Sequence, residues 1–512
     1  VEDFGSAALV RLVAGLADRS QSVRAAAGRA LDSWHERLGG ALAILARCDI
    51  MGDEALGEAA ASALAVRFPK EGIDAARLWL GRGEDSPLGH NAKEGALLAR
   101  LAVTSMAEEE RDEVIDMPSL LQRTRGALEG SLRRKEFSCR WQGYLLRQLL
   151  HVVALSDVTC DESVRRGVEQ LAEDVLMRGP TTVAAGETDS DPVEDIGGRI
   201  LSAVDLGIVI FRKCCGLTHC GQARVGKQQA LEVHCSTRIV LMVSDLCQPL
   251  DTGDAAEGSA EASGNQGLYT SRLSLMLEGL NDEVEKRERE QASLMEKKKR
   301  AVAAEEFMEA DRLKNAIKEN SKQLAMRREQ QKKLQEKRDS LCLRVLAIVT
   351  ALLRWSNSEV RKDPALFGIL ERIVQPIIQL PALSEELEVA AVSGIALFCV
   401  RDGNNARSHW SLLLTLLRGL QQSENSKAGA ASTKKCSRAR AAVAARTLAD
   451  CARLYGGTVL NRDEILSAAY ALAAVPFSAR QIVLEPLCGW LLNLGHVFFE
   501  EHLREPVLEV QW

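Results

Sequence analysis

The run Gly221-Gln222-Ala223-Arg224-Val225-Gly226-Lys227-Gln228 is the nearest thing in this chain to a phosphate-binding loop. Such a loop cradles phosphates on backbone N–H groups, sets a Lys on the β- and γ-phosphates and holds magnesium through a Ser or Thr hydroxyl. The apolar run Ile239–Val243 ahead of Asp245 imitates the strand that would follow it. Gln228 stands where the hydroxyl is needed. The interval to Asp245 is also too short for a crossover helix and a new parallel strand. These residues read as a loop between helices, and a nucleotide hydrolase using Lys227 ranks last among the functions the chain suggests. Cys214, Cys215, His219 and Cys220, with His234 and Cys235 downstream, are candidate soft-metal ligands. Zinc sites use C-x2–4-C and H-x3–5-H pairs, which adjacent cysteines fit poorly. Small buried thiols in helices fit better. No G-x-S-x-G elbow is present, and His35, His90, His151, His409, His496 and His502 have no partnered motif. The expectation is a non-enzyme with no metal and no cofactor.

Cations placed to meet phosphate are more numerous. Arg19, Arg24 and Arg29 fall at one turn and along the segment after it, and Arg133-Arg134-Lys135 and Arg212-Lys213 are short runs beside apolar stretches. Lys434-Lys435, with Arg438 and Arg440, reads as a patch carried on a loop. Backbone recognition needs such cations without base-reading geometry. A solvated face or a salt-bridge ladder uses the same residue types. With 65 basic against 71 acidic residues and a net charge of −6, no global field draws the chain onto nucleic acid. Any contact must come from a local patch.

The elements that would position these residues are helices. Ala and Leu dominate, aromatics are 4% of the 512 residues, and the 46% apolar fraction is enough for a core. Leu9, Leu12, Val13 and Leu16 repeat at helical spacing, Asp18-Arg19-Ser20 breaks the pattern, and Val23, Ala27, Ala30, Leu31 and Trp34 share the next face. Leu42, Leu45 and Ile50 begin a short helix, and 55–68 forms the next. Pairs of about 40 residues that cannot bury their own apolar faces describe an α-solenoid of the HEAT or armadillo type. Asp18 sits where it can cap a helix or meet a neighbouring Arg.

The pattern divides the chain. Residues 1–178 read as HEAT repeats, 179–198 as a flexible linker, 199–250 as further solenoid helices and 251–270 as a second linker. Residues 271–340 are about half charged, as a solvated coiled coil requires. Leu273, Leu277, Leu280, Val284 and Leu294 keep one heptad frame, and Leu313, Ile317, Leu324, Leu334 and Leu341 keep another. The frames disagree across 301–310, which predicts an antiparallel coiled-coil hairpin reversing there. Residues 341–512 resume the solenoid, interrupted by a Gly/Ser-rich loop at 421–437. The thirteen cysteines are scattered as reduced intracellular thiols are, and no secretory signal or membrane-length apolar run is present. Opening at Val1 inside a helical pattern implies a piece of a longer protein.

Four blocks resemble the family of the HEAT-repeat non-SMC condensin subunit 3. The first runs from Leu16 through Asp18-Arg19, Val23-Arg24, Ala27, Leu31 and Trp34 to Leu45 and Asp49, and the second is Gly143–Leu150 with Asp157, Glu162 and Arg165-Arg166. The third, Ala304–Lys314, is like the family's internal hairpin. The fourth includes Glu386-Leu387-Glu388-Val389, Leu397-Phe398-Cys399-Val400-Arg401-Asp402 and the helix 441–456. Ala390 stands where that family usually carries Arg. The resemblance implies an all-α, non-catalytic subunit that binds the kleisin subunit, reaches the SMC ATPases through the complex, and clasps double-stranded DNA without sequence specificity. The DNA-backbone candidates come from the local patches, Arg19, Arg24, Arg29, Arg133, Arg134, Lys135, Lys434 and Lys435, and the resemblance does not choose among them. The resemblance implies mitotic chromosome condensation, in the nucleus and on chromosomes, with the cytoplasm a further location outside mitosis. It names no kleisin-contacting residues and no membrane role. The alternative is a HEAT or armadillo scaffold of another kind, such as a transport or phosphatase adaptor, without DNA contact.

Overall fold

The computed structural model describes residues 6–475 except 17, 48–49, 51–53, 82–91, 133–136, 159–160, 181–200, 217–224, 248–268, 357–359, 361–362, 379–382, 426–430, 457 and 474. The described residues are helical, and they divide into two compact units. One is 1–235 with 355–357; the other is 236–354 with 358–512.

The first unit contains α1 (Ser6–Leu16), α2 (Gln21–Leu38), α3 (Ala41–Leu45), α4 (Glu54–Arg67), α5 (Pro69–Leu80) and α6 (Ala92–Ser105). It continues through α7 (Glu108–Val114), α8 (Met117–Leu132), α9 (Phe137–Leu155), α10 (Glu162–Arg178) and α11 (Ala203–Cys214). Then α12 (Val225–Cys247) begins in this unit and crosses the division after Cys235. Pairing is local: α1 with α2, α5 with α6, α8 with α9, α10 with α11. Along the unit, α4, α6, α9 and α11 pack side by side in one row, and α5, α8 and α10 form a second. That two-row arrangement is the expected α-solenoid.

Local chemistry sets the ends of these helices. Gly39 leaves α2 at φ 85°, a left-handed conformation that a Cβ disfavours. Pro69 opens α5, where its missing N–H has no helical partner to lose. The Asp161 carboxylate accepts the N–H groups of Ser163 (2.7 Å) and Val164 (3.4 Å) to cap α10. Ser202 and Asp205 form a reciprocal capping box at α11. Each apolar stripe closes against its neighbours: Leu31, Ile44, Leu64, Leu97, Leu98, Leu120, Leu146, Leu171 and Phe211 are at most 1% exposed. Full burial of such a side chain is worth about 2 kcal/mol.

The second unit contains α13 (Tyr269–Ala303), α14 (Phe307–Trp355, which reaches one residue past the division), α15 (Pro364–Ile369), α16 (Gln375–Ile378), α17 (Glu385–Arg401), α18 (Gly403–Asn425), α19 (Ala431–Tyr455) and α20 (Arg462–Ala473). The reversal predicted within 301–310 is the turn Ala304–Glu306, where Glu305 takes φ 62°. Its arms are antiparallel: Glu288 meets Arg328 (2.6 Å), Glu283 meets Arg327 (3.1 Å), and Asn320 Nδ2 donates to the Arg287 carbonyl (3.1 Å). Leu277, Val284 and Leu324, all heptad positions, are buried between them. No Gly, Pro or capping break lies near residue 340, so α14 runs unbroken from the arm into a packed layer. There Cys342, Val345, Leu346, Val349 and Leu352 are at most 1% exposed. At 49 residues α14 is about 74 Å long.

The loop expected at 421–437 is corrected. Gln421–Asn425 end α18 and Ala431–Ser437 begin α19, so Lys434 and Lys435 are helical. The run Ala-Ser-Thr-Lys-Lys-Cys-Ser-Arg-Ala-Arg-Ala-Ala is Ala- and Lys/Arg-rich, and that propensity outweighs the Gly and Ser beside it. The expected linkers 179–198 and 251–270 lie almost wholly outside the described residues; Gly179 ends α10 and Tyr269 already opens α13.

Candidate nucleic-acid interface

The α1–α2 turn is built by its own polar groups. Asp18 Oδ1 accepts the Ser20 N–H at 2.7 Å, just ahead of α2. Arg24 Nη1 donates to the carbonyls of Asp18 and Arg19, 2.8 Å each. Arg24 lies on the azimuth of the packed stripe of α2 that includes Ala27, Gly28 and Leu31, so its head group meets the turn. Arg29 is five residues on, about 140° around the helix, and faces solvent. Arg19 is likewise exposed. The three arginines thus divide: Arg24 ties the turn, while Arg19 and Arg29 project from it.

Two further exposed arginines, Arg11 on α1 and Arg37 on α2, belong to the same repeat. Two acids of the repeat are engaged, while Glu36 stays exposed on α2. Asp18 holds the turn, and Asp32 is clamped by Arg67, with Nε to Oδ1 at 2.8 Å and Nη2 to Oδ2 at 2.5 Å. The guanidinium hydrogen bonds hold the Asp32 carboxyl below its ordinary range. Sequence reasoning passed over Arg11 and Arg37 because neither sits in a run.

Other predicted cations are placed differently. Arg133, Arg134 and Lys135 lie outside the described residues. Lys434 and Lys435 lie in the first turns of α19. Arg438 is exposed, but Arg440 is paired with Glu388 at 2.8 Å. Arg212 and Lys213 turn inward. Arg212 pairs with Glu232, both nearly buried. Lys213 Nζ donates to the carbonyls of Ala154 (2.9 Å) and Ser156 at the end of α9, and burial lowers its pKa.

Lys213 belongs to a recurring device that the sequence conceals. The last carbonyls of a helix lack intrahelical donors and carry the negative end of its dipole. Arg123 meets the Leu78 and Trp79 carbonyls of α5, Lys213 serves α9, and Arg401 serves the Leu353 and Arg354 carbonyls of α14.

Beneath the surface, the α4–α6–α9 row carries an ion-pair layer. Arg147 makes a two-pronged contact with Glu54, one prong at 2.9 Å, and Arg100 meets Glu58 at 2.6 Å. Arg147 also lies 5.6 Å from the Tyr144 ring centroid. Burial, with Arg100 and Arg147 nearby, pushes the His151 pKa down to about 3, and burial pushes the Tyr144 phenol up.

The enzyme-like motifs dissolve at this level. Ile239–Val243 is part of helix α12, not a strand, and Val225–Gln228 begin that helix; Gly221–Arg224 lie outside the described residues. Cys214 and Cys235 are buried, Cys215 is half-buried and His234 is exposed, while His219 and Cys220 are not described. No group of three or more metal-ligating side chains exists among the described residues. No helix among them is long and apolar enough to cross a membrane.

No family model matches the sequence, and no curated protein matches it. A chain in the crystal structure of the S. pombe condensin Cnd3–Cnd2 subcomplex is similar in fold: TM-score 0.53, 16% identity, over 96% of this chain and 47% of that one. The fold is a helical-repeat solenoid. This chain spans about half the length of the S. pombe chain it matches.

Proposed function

We propose that this chain is a non-catalytic HEAT subunit of a condensin complex, binding a kleisin segment and the phosphates of double-stranded DNA. The observation that carries the reading is the fold likeness over 96% of the chain to a structure of the S. pombe condensin Cnd3–Cnd2 subcomplex. The four sequence blocks support it independently, because they occur in the family's order and include the internal hairpin. Kleisin is then the direct partner. The SMC ATPases are reached through the complex, and the work is done in the nucleus and on chromosomes.

Arg19 and Arg29, joined by Arg11 and Arg37, supply the cations for the duplex. Contact of these cations with the duplex backbone carries no sequence information directly. Arg24 serves the turn first and contributes field rather than a free guanidinium fork.

The test is co-expression with the central segment of the same organism's kleisin. The expected result is one stoichiometric complex that survives high salt. Two folded chains that separate on gel filtration would overturn the reading in favour of another kind of helical scaffold. Duplex binding is then measured on the complex, where affinity should fall steeply with salt and be indifferent to sequence.

A further inference from the structure

The outer end of the hairpin closes on small residues. Ala301 stands one heptad beyond Leu294 and Ala310 one heptad ahead of Ile317, and the two alanines are 6% and 7% exposed. The turn between them is hydrogen-bonded, with the Ala304 N–H on the Arg300 carbonyl and the Glu306 N–H on the Ala301 carbonyl, 2.9 Å each. The tip is therefore complete without the three large apolar side chains beside it. Val302, Phe307 and Met308 are 50%, 70% and 89% exposed. Single exposed apolar residues are ordinary, but three together at the end of a charged arm form a contact patch.

The charge around this patch is divided by sign. Lys297, Lys298 and Lys299 lie on the α13 side and Glu305 and Glu306 at the turn, and none of the five has an ionic partner among the described residues. At about 1.5 Å per residue, Lys298 stands about 10 Å inward of Glu305, with Val302 and Met308 about halfway between. We propose that the hairpin tip is a self-association site that joins two copies of this chain by an antiparallel overlap of their tips. A two-fold axis crossing the arms at Val302 and Met308 sets the lysine run of each copy against the turn carboxylates of the other. The apolar side chains are then buried at the centre, and every contact occurs twice. A nucleic acid or an anionic lipid surface would meet Glu305 and Glu306 close beside the lysines, which opposes it. A second copy offers both signs in the matching reverse order. The contact is smaller than the roughly 800 Å² per partner of a standard interface, so the dimer is weak and depends on concentration. This inference is independent of the condensin reading.

The experiment is sedimentation velocity on the 512-residue chain, loaded between about 1 and about 300 μM, the range of weak interfaces. Monomer should convert to dimer as concentration rises. Phe307→Ser with Met308→Ser should weaken the dimer by about tenfold or more. Two charge-reversed chains carry the sharper test. Lys297→Glu/Lys298→Glu/Lys299→Glu and Glu305→Lys/Glu306→Lys should each stay monomeric alone, and their equimolar mixture should form a mixed dimer. The mixture also guards against misfolding, because two damaged chains would not restore association. A monomer at every concentration, a dimer that the tip variants leave unchanged, or charge-reversed chains that do not pair would each overturn the proposal.

Discussion

The Glu54–Arg147 pair offers a sharp test of how the α4–α6–α9 row is held. The two side chains are 10% and 5% exposed and make two hydrogen bonds. Glu54→Gln keeps the shape but strands the Arg147 guanidinium in a nearly dry site, close to a second guanidinium at Arg100. Breaking one side of a buried pair costs about 3–5 kcal/mol, and the like charge nearby favours the upper half of that range. Replacing both partners with apolar groups, as in Glu54→Leu with Arg147→Met, removes the stranded charge and should lie within about 1 kcal/mol of the parent. Because the chain has two units, a single global unfolding curve is the wrong instrument. Hydrogen exchange read on α9 peptides reports the local opening free energy directly. A loss of about 4 kcal/mol appears there as exchange faster by about 900-fold. If Glu54→Gln changes protection less than tenfold, or the double variant loses as much as the two single variants together, the pair does not anchor the row.

Three other consequences can be checked on the same protein. His151 has a folded pKa lowered to about 3, so between that value and its ordinary 6.5 the unfolded chain takes a proton that the folded chain refuses. Stability is then full above pH 6.5 and falls with falling pH, by about 2 kcal/mol at pH 5, or about 1 after allowing for the partial exposure of the ring. His151→Asn should flatten that dependence, and an unchanged pH slope would refute the assignment. Lys213→Met leaves the Ala154 and Ser156 carbonyls without their donor, so the last turn of α9 should lose about 2 kcal/mol of protection, visible as exchange faster by tens-fold. Unchanged exchange there would show that Lys213 is not the cap. Finally, Arg19→Ala with Arg29→Ala should reduce the slope of log affinity against log salt by about 2 for duplex DNA, while Arg440→Ala, whose partner is Glu388, should leave it alone. The reverse pattern would move the interface away from the first repeat.

Much of the fold was legible because periodicity is a local signal. The break at Asp18-Arg19-Ser20 and the two heptad frames that disagree across 301–310 each mark a place where the chain turns. In both the turn falls inside the predicted window. The unit of error was composition read without propensity. Gly and Ser near 421–437 suggested a loop, yet the Ala, Lys and Arg mixed among them continue two helices. The change of surroundings after residue 340 was legible, but not that one helix spans it. A change from solvated heptads to an apolar stripe marks a change of surroundings, and α14 passes through it without interruption.

The site was less legible because a cation's use depends on what faces it from far along the chain. Arg212-Lys213 has the same local appearance as Arg133-Arg134, a basic run beside an apolar helix. Its partners are Glu232, 20 residues on, and the carbonyls of Ala154 and Ser156, 59 and 57 residues back. A repeat solenoid makes such long-range uses frequent. Each helix ends on unpaired carbonyls that abut a neighbouring repeat, and a long basic side chain from that neighbour satisfies them while its stem packs over apolar surface. Cations in this fold therefore fall into two classes by azimuth. Those on a packed face, such as the buried Lys213, are drawn onto helix ends, and those on an outward face, such as Arg29, are left to solvent. Only the second class keeps its full charge available to a phosphate backbone. A search for the duplex contact should follow the outward azimuth of each helix rather than the density of Arg and Lys in the sequence.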